Sequence, residues 1–296
     1  MVIIWSFSFV LVDIAVVYTS PLSLALYRFV IASIAFIIMD LYFFFKKNKN
    51  QPISKEETNK FSKNEWLLII LASFSGCSFF FFAQYTAIEL IGPTLPALFV
   101  CLLCPIIITI LALIFFEEKL DKFKILGFSI ATIGGFLLVT GGDIRNLTPQ
   151  SPYFIGYILA LLTPFLWAFY STITKKIVKS KSNIKMLEYI SYFGMIELML
   201  FVIVSGDFLD FAWNLLNIYV FLSAVFLGVG CYIFGYYIWN STQKKMKSSK
   251  VSSFLYIEPF LTLLFSIMLQ REEVLNLWNL LGGSIVLAGV LIINYK

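Results

Sequence analysis

Histidine is absent from the 296-residue chain. Imidazole metal sites and imidazole proton relays are excluded with it. Charge is scarce too: Asp, Glu, Lys and Arg make up 13% of the residues, about half the share of an average soluble domain. Cysteine occurs only at Cys77, Cys101, Cys104 and Cys231, each inside an apolar run. The C-x-x-C spacing of Cys101 and Cys104 suggests redox or metal chemistry in a soluble protein. No further ligands accompany it here, so the four read as small packing residues. There is no nucleotide-binding motif, which excludes direct ATP drive within this chain, and no nucleic-acid motif. A zinc-protease H-E-x-x-H and paired acids on one helix face are also missing, which argues against an intramembrane enzyme. Nothing in the sequence asks for a cofactor or a metal.

What is abundant is apolar. Hydrophobic residues are 60% of the chain and the mean hydropathy is +0.89. A soluble sphere cannot hide that much apolar surface behind so few charges. The apolar runs are long and unbroken, unlike the short alternating segments of a membrane β-barrel. The expected fold class is therefore an all-α membrane protein. Ten segments of spanning character can be marked: 2–18, 22–45, 66–88, 94–116, 123–139, 153–178, 186–205, 215–239, 251–269 and 275–294. Breakers such as Thr19–Ser20–Pro21, Gly92–Pro93, Gly141–Gly142–Asp143, Ser151–Pro152 and Ser205–Gly206–Asp207 fall between them. The first segment lacks the basic start and cleavage site of a secretory signal. It reads as a retained helix, with a start upstream of Met1 left open.

Lysine and arginine set the expected orientation. The four connections leading from even to odd segments hold six, three, five and four of them. Lys296 brings that side to 19, against only Arg145 and Arg271 on the other. This split predicts an even span number, both termini cytoplasmic, and a multi-pass protein of the cell membrane. The net charge of +5 then lies on the inner face, against anionic lipid heads.

The halves repeat one another. Gly76–Cys77 precedes Pro105 by 29 positions, and Gly230–Cys231 precedes Pro259 by the same 29. Glu118, Gly127 and Gly134 recur as Glu273, Gly282 and Gly289 with identical spacing, and Trp5–Ser6–Phe7 is echoed by Trp167–Ala168–Phe169. An odd number of spans per copy forces the second copy to insert upside down. The expected units are therefore residues 1–141 and 153–296, as two inverted five-helix repeats, an architecture of secondary transporters.

Ser20–Pro21 followed by Arg28–Phe29, then Pro105 leading to Phe116–Glu117–Glu118–Lys119–Leu120 and Gly127, form one set of signatures. Glu258–Pro259, Glu273–Val274 and Gly282 form the second. Over essentially its whole length the chain resembles the EamA family of the drug/metabolite transporter superfamily. The resemblance implies ten spans in two five-helix repeats and transport of small metabolites or amino acids, commonly outward. Two departures stand out. The second half has no counterpart of Arg28, and Pro259 to Glu273 is one residue longer than Pro105 to Glu118.

Ionisable groups deep in lipid cost about 3 kcal/mol each on insertion scales, so they are functional candidates by default. Glu89, Asp40 and Glu188 lie near segment ends, where they reach the interface by snorkelling. Asp13, Arg28, Glu197 and Glu258 lie deeper. Asp13 and Arg28 flank the first outer turn at depths of about 8 and 10 Å. That permits an ion pair locking the first two helices, or leaves Arg28 to receive a substrate carboxylate. Glu258 precedes Pro259 mid-segment, where proline frees carbonyls. A carboxyl there is suited to proton coupling, or else is a neutral group bonded to a neighbouring helix. Trp167, Tyr232 and Gln84 complete the candidates for substrate binding or coupling, with packing favoured for Trp167. Gly127, Gly134, Gly282 and Gly289 read as packing seams, and Glu118 and Glu273 as structural charges in turns. The functional expectation is a secondary transporter working by alternating access, with export and proton or gradient coupling as its expected mode. Its partners are a small-molecule substrate and the lipid bilayer, and a homodimer stays open. A channel, a lipid scramblase or an intramembrane enzyme are the alternatives.

Overall fold

A computed structural model describes residues 1–46, 60–140, 154–271 and 277–295. Helices make up nearly all of these residues, and no strand occurs among them. Seven rods are long and apolar enough to cross a membrane, judged by length and composition. They are α2 (Pro21–Lys46), α3 (Lys63–Ile91), α4 (Thr94–Phe116), α6 (Phe154–Val178), α7 (Asn183–Ser205), α8 (Ile218–Lys245) and α9 (Ser248–Met268). Three further rods lie with them: α1 (Val2–Ala15), α5 (Lys122–Thr140) and α10 (Leu277–Asn294). A short helix over Phe208–Trp213, not expected from the sequence, fills the connection between α7 and α8.

The surface is inside-out relative to a soluble protein. Large apolar side chains such as Phe44, Phe45, Val204 and Leu291 are exposed, while Arg28, Glu258, Ser171, Ser252 and Thr262 are buried. An apolar belt of this extent marks a membrane-facing surface.

Local interruptions follow from the sequence. α3 contains a π-helical stretch over Phe74–Ser78 and α8 one over Phe226–Tyr236, so both carry the Gly–Cys pairs of the repeat. A π-turn shifts hydrogen bonding to i→i+5 and leaves a backbone carbonyl for other donors. Tyr236 Oη donates to Gly76 O at 3.1 Å, and Trp5 Nε1 to Cys231 O at 3.1 Å. α9 is broken where proline predicts: Phe254–Ile257 is 3₁₀, and the α-helix restarts at Glu258 with Pro259 in its first turn.

The helix pairings exchange in a regular way. α4 packs on α6 as α9 packs on α1, α3 on α6 as α8 on α1, and α3 on α7 as α8 on α2. α5 with α10, α2 with α7, and α4 with α9 are their own counterparts. α2 and α7 run antiparallel: Ser33 meets Ser191 at 2.9 Å, and Asp40, further along α2, meets Lys185, earlier on α7. α5 and α10 are antiparallel as well, since Gly127 approaches Ile293 and Gly134 approaches Ile285. The connections around Lys63, Glu118, Lys181 and Ser248 lie at one end, joined by Lys175–Glu118 and Lys181–Glu65 ion pairs. At the other end Asp207 and Asp210 bind Ser20 and Thr19.

Candidate functional site

Both halves line one partly enclosed cavity of about 40 Å³. Arg28 of α2, Phe81 and Gln84 of α3, and Val100 of α4 come from the first half; Trp167 of α6, Tyr236 of α8 and Glu258 of α9 come from the second. Trp5, Ser8 and Phe9 of α1, Phe80 of α3 and Leu255 of α9 complete the wall. Four of the sequence candidates, Arg28, Gln84, Trp167 and Glu258, therefore meet in one place. Asp13, Glu197 and Tyr232 do not line it.

Arg28 is 2% exposed and is held from two sides. Its Nη1 donates to Tyr85 Oη at 2.9 Å, and its guanidinium lies 3.8 Å from the centroid of the Phe81 ring. Its Nε has no hydrogen-bond partner, and no carboxylate lies within ion-pair distance among the described residues. Gly228 lets α8 come close here: a Cβ at that position would fall 2.6 Å from the Arg28 carbonyl oxygen.

Glu258, also 2% exposed, accepts from Cys101 Sγ at 3.0 Å through Oε2, while Oε1 has no partner. Cys101 is thus more than a packing residue; it anchors the carboxyl. Trp167 is 4% exposed, stands edge-on to Trp5 with centroids 5.3 Å apart, and leaves Nε1 without a partner. Its echo Trp5 uses the same atom on the α8 carbonyl. A buried polar atom without a partner costs about 1–3 kcal/mol. Arg28 Nε, Trp167 Nε1 and Glu258 Oε1 have no protein partner, and all three residues line the same space.

The expected Asp13–Arg28 pair is not formed. Asp13 accepts from Arg271 Nε at 2.6 Å, because α1 packs chiefly on α9. Glu197 instead accepts from Ser73 and Ser78 of α3, and Tyr232 Oη donates to Leu187 O at 2.7 Å behind the cavity. Glu118 caps α9, accepting from Ser248 N at 3.0 Å, and it pairs with Lys175 at 2.5 Å. Glu273 lies outside the described residues. The cavity aromatics Phe80, Phe81 and Tyr236 were not legible in the sequence, because in a chain that is 18% aromatic no single ring stands out.

A model of the EamA-like transporter family matches the chain twice, over residues 1–140 and 154–295. An uncharacterized transporter of Archaeoglobus fulgidus is 23% identical over 294 residues, 99% of this chain and 94% of that protein. The uncharacterized transporter YyaM of Bacillus subtilis is 25% identical over 285 residues, 96% of this chain and 88% of that protein. A solved crystal structure covers 98% of this chain and 93% of its own with a TM-score of 0.67. At 17% identity that likeness speaks to the fold alone.

Proposed function

The chain belongs to the EamA-like transporter family, and from that premise we propose that it is a secondary transporter moving a small metabolite or amino acid across the cell membrane by alternating access. The observation that carries the reading is the cavity between the halves, where Arg28 and Glu258 both keep an unpartnered polar atom. Arg28 Nε and Trp167 Nε1 would receive a substrate carboxylate. Glu258 Oε1 would take a substrate donor such as an ammonium, with aromatic walls on either side.

The two matched units support an inverted repeat of ten spans, 1–141 and 153–296. Helices that are their own counterparts would run parallel about an axis along the membrane normal. Antiparallel α2–α7 and α5–α10 pairs agree instead with a twofold axis in the membrane plane. The gathering of basic connections at one end supports cytoplasmic termini.

The test is counterflow in proteoliposomes with labelled standard amino acids and small carboxylates. Saturable exchange of at least one of them is expected. Conductance in a planar bilayer without saturable exchange would replace the transporter with a channel.

A further inference from the structure

Glu197 lies outside the cavity, on the face of α7 turned toward α3. Its Oε1 is 2.7 Å from Ser73 Oγ and its Oε2 is 2.6 Å from Ser78 Oγ. The two serines bracket the π-turn of α3: Ser73 directly precedes it and Ser78 ends it. Gly194, one turn earlier on α7, permits the approach, since a Cβ there would fall 2.8 Å from Cys77 Cβ. The carboxyl therefore clamps both ends of one irregular turn. It sits eight residues from Ser205, or about 12 Å along the helix.

Among the described residues, no cation lies within ion-pair distance of Glu197. Cys77 of α3 is the titratable group beside Glu197. Several charged groups on the elements around α7 are engaged elsewhere. Lys185 holds Asp40 of α2 and Glu188 of α7 itself, and Arg28 of α2 turns to Tyr85. Glu65 of α3 pairs with Lys181, Lys175 of α6 pairs with Glu118, and Asp207 and Asp210 bind Ser20. Tyr232 of α8 donates to the Leu187 carbonyl.

Counting hydrogens shows what this arrangement can do. A serine hydroxyl has one hydrogen to give. When Glu197 is ionised, Ser73 and Ser78 both donate to it. When it is protonated, its own O–H donates to Ser73 Oγ, and the Ser73 hydrogen turns to Ile70 O, 2.8 Å away. Ser78 keeps its bond throughout. The carboxyl can therefore gain or lose a proton without leaving any of these groups unpaired.

We infer that Glu197 takes up and releases the coupling proton, acting on transport as a positioning residue through the π-turn. The outer part of α3, beyond that turn, carries Phe80, Phe81 and Gln84 into the cavity wall and Tyr85 onto Arg28. Gly76, inside the turn, is bonded by Tyr236, a cavity residue. One residue more or less in the turn rotates the outer part of the helix by about 100°. On deprotonation the Glu197 O–H bond breaks, the proton leaves to water, and the Ser73 hydrogen swings from Ile70 O to the carboxylate. The turn then tightens on both serines.

This inference rests on the transporter reading, and its test keeps the two apart. Glu197→Gln retains one donor and one acceptor for the serines and cannot titrate. In proteoliposomes, labelled standard amino acids report counterflow at equal pH and accumulation against a gradient of one pH unit. One proton per substrate supports about tenfold accumulation in that gradient. The wild type is expected to show both activities. The Gln variant is expected to keep counterflow near the wild-type rate while accumulation falls to none. Tenfold accumulation by the variant, or none by the wild type with intact counterflow, would overturn the inference. Absent counterflow in the wild type would strike the transporter reading instead. Infrared pH titration of the protein in lipid vesicles then still decides the proton site. A carboxyl C=O band that titrates in the wild type, shifts in Ser78→Ala and is lost in Glu197→Gln is expected; its absence from the wild type would overturn the assignment.

Discussion

A guanidinium cannot shed its charge to survive burial, so Arg28 has to be satisfied where it stands. Tyr85 takes one N–H and the Phe81 ring takes the flat face, which leaves Nε without a protein partner. Lysine preserves the charge but not the plane. A hydrogen bond from the guanidinium to a charged substrate group is worth about 2 kcal/mol, or roughly 30-fold in affinity. Arg28→Lys is therefore expected to raise the half-saturating substrate concentration in counterflow by about that factor, with the thermal midpoint little changed. Equal saturation in the two proteins would remove the guanidinium from substrate binding. Which residues lie deep was legible from counting along the apolar runs, and Arg28 and Glu258 were found that way. Their partners were not. Asp13 and Arg28 share a depth, but depth says nothing of azimuth, and Asp13 turns to Arg271. The role of Cys101 was hidden for the same reason, since its acceptor Glu258 is distant in sequence.

Hydropathy delimited the helices well, because a run of apolar residues is a local property. Thr94–Phe116 is reproduced to the residue, and most other ends shift by a turn or less. The π-turns could not be read, since an i→i+5 turn depends on what α7 and α8 present to it. Glycine spacing did mark the seam between α5 and α10. A Cβ at Gly289 would fall 2.6 Å from Ala131 N and 2.7 Å from Gly127 O. Both are backbone atoms that cannot step aside. Gly289→Val is expected to destabilise by about 1–3 kcal/mol through overpacking, read as a lower thermal midpoint in detergent. Gly230 is the control. A Cβ there meets nothing nearer than the Phe226 ring at 3.7 Å, so Gly230→Ala is expected to leave the midpoint unchanged or raised. If both variants lose stability equally, close backbone approach is not what these glycines provide.

At the scale of the molecule, matching residues in the two halves carry the proposed repeat, and two ion pairs lie where the residues differ. Eight positions beyond Trp5 stands Asp13, and eight beyond Trp167 stands Lys175. Asp13 ties α1 to Arg271, just past α9; Lys175 ties α6 to Glu118, just past α4. Exchanging the halves carries one ion pair onto the other with its signs reversed and moves it to the opposite end of the molecule. An alignment that rewards identity cannot see such a pair. Under the alternating-access mechanism proposed above, the two would be locks that open in turn. Burial raises the Glu118 carboxyl, but hydrogen bonds from Lys175 and Ser248 outweigh it and hold the group below its usual range. The stabilisation from that lock is therefore complete above the ordinary glutamate value of about 4.3 and fades only as pH falls through the lowered one. Near neutral pH the Glu118 carboxyl stays ionised, so this pair parts only by motion. A reporter at Ser8→Cys in the cavity wall, with the four native cysteines replaced, reads which side is open through an impermeant maleimide. Asp13→Asn is expected to raise labelling from the outer face, and Glu118→Gln from the inner face. Reversing a pair, as in Asp13→Arg with Arg271→Asp, is expected to restore the wild-type pattern. Labelling that rises on one and the same face for both variants would mean that the two pairs are not alternate locks.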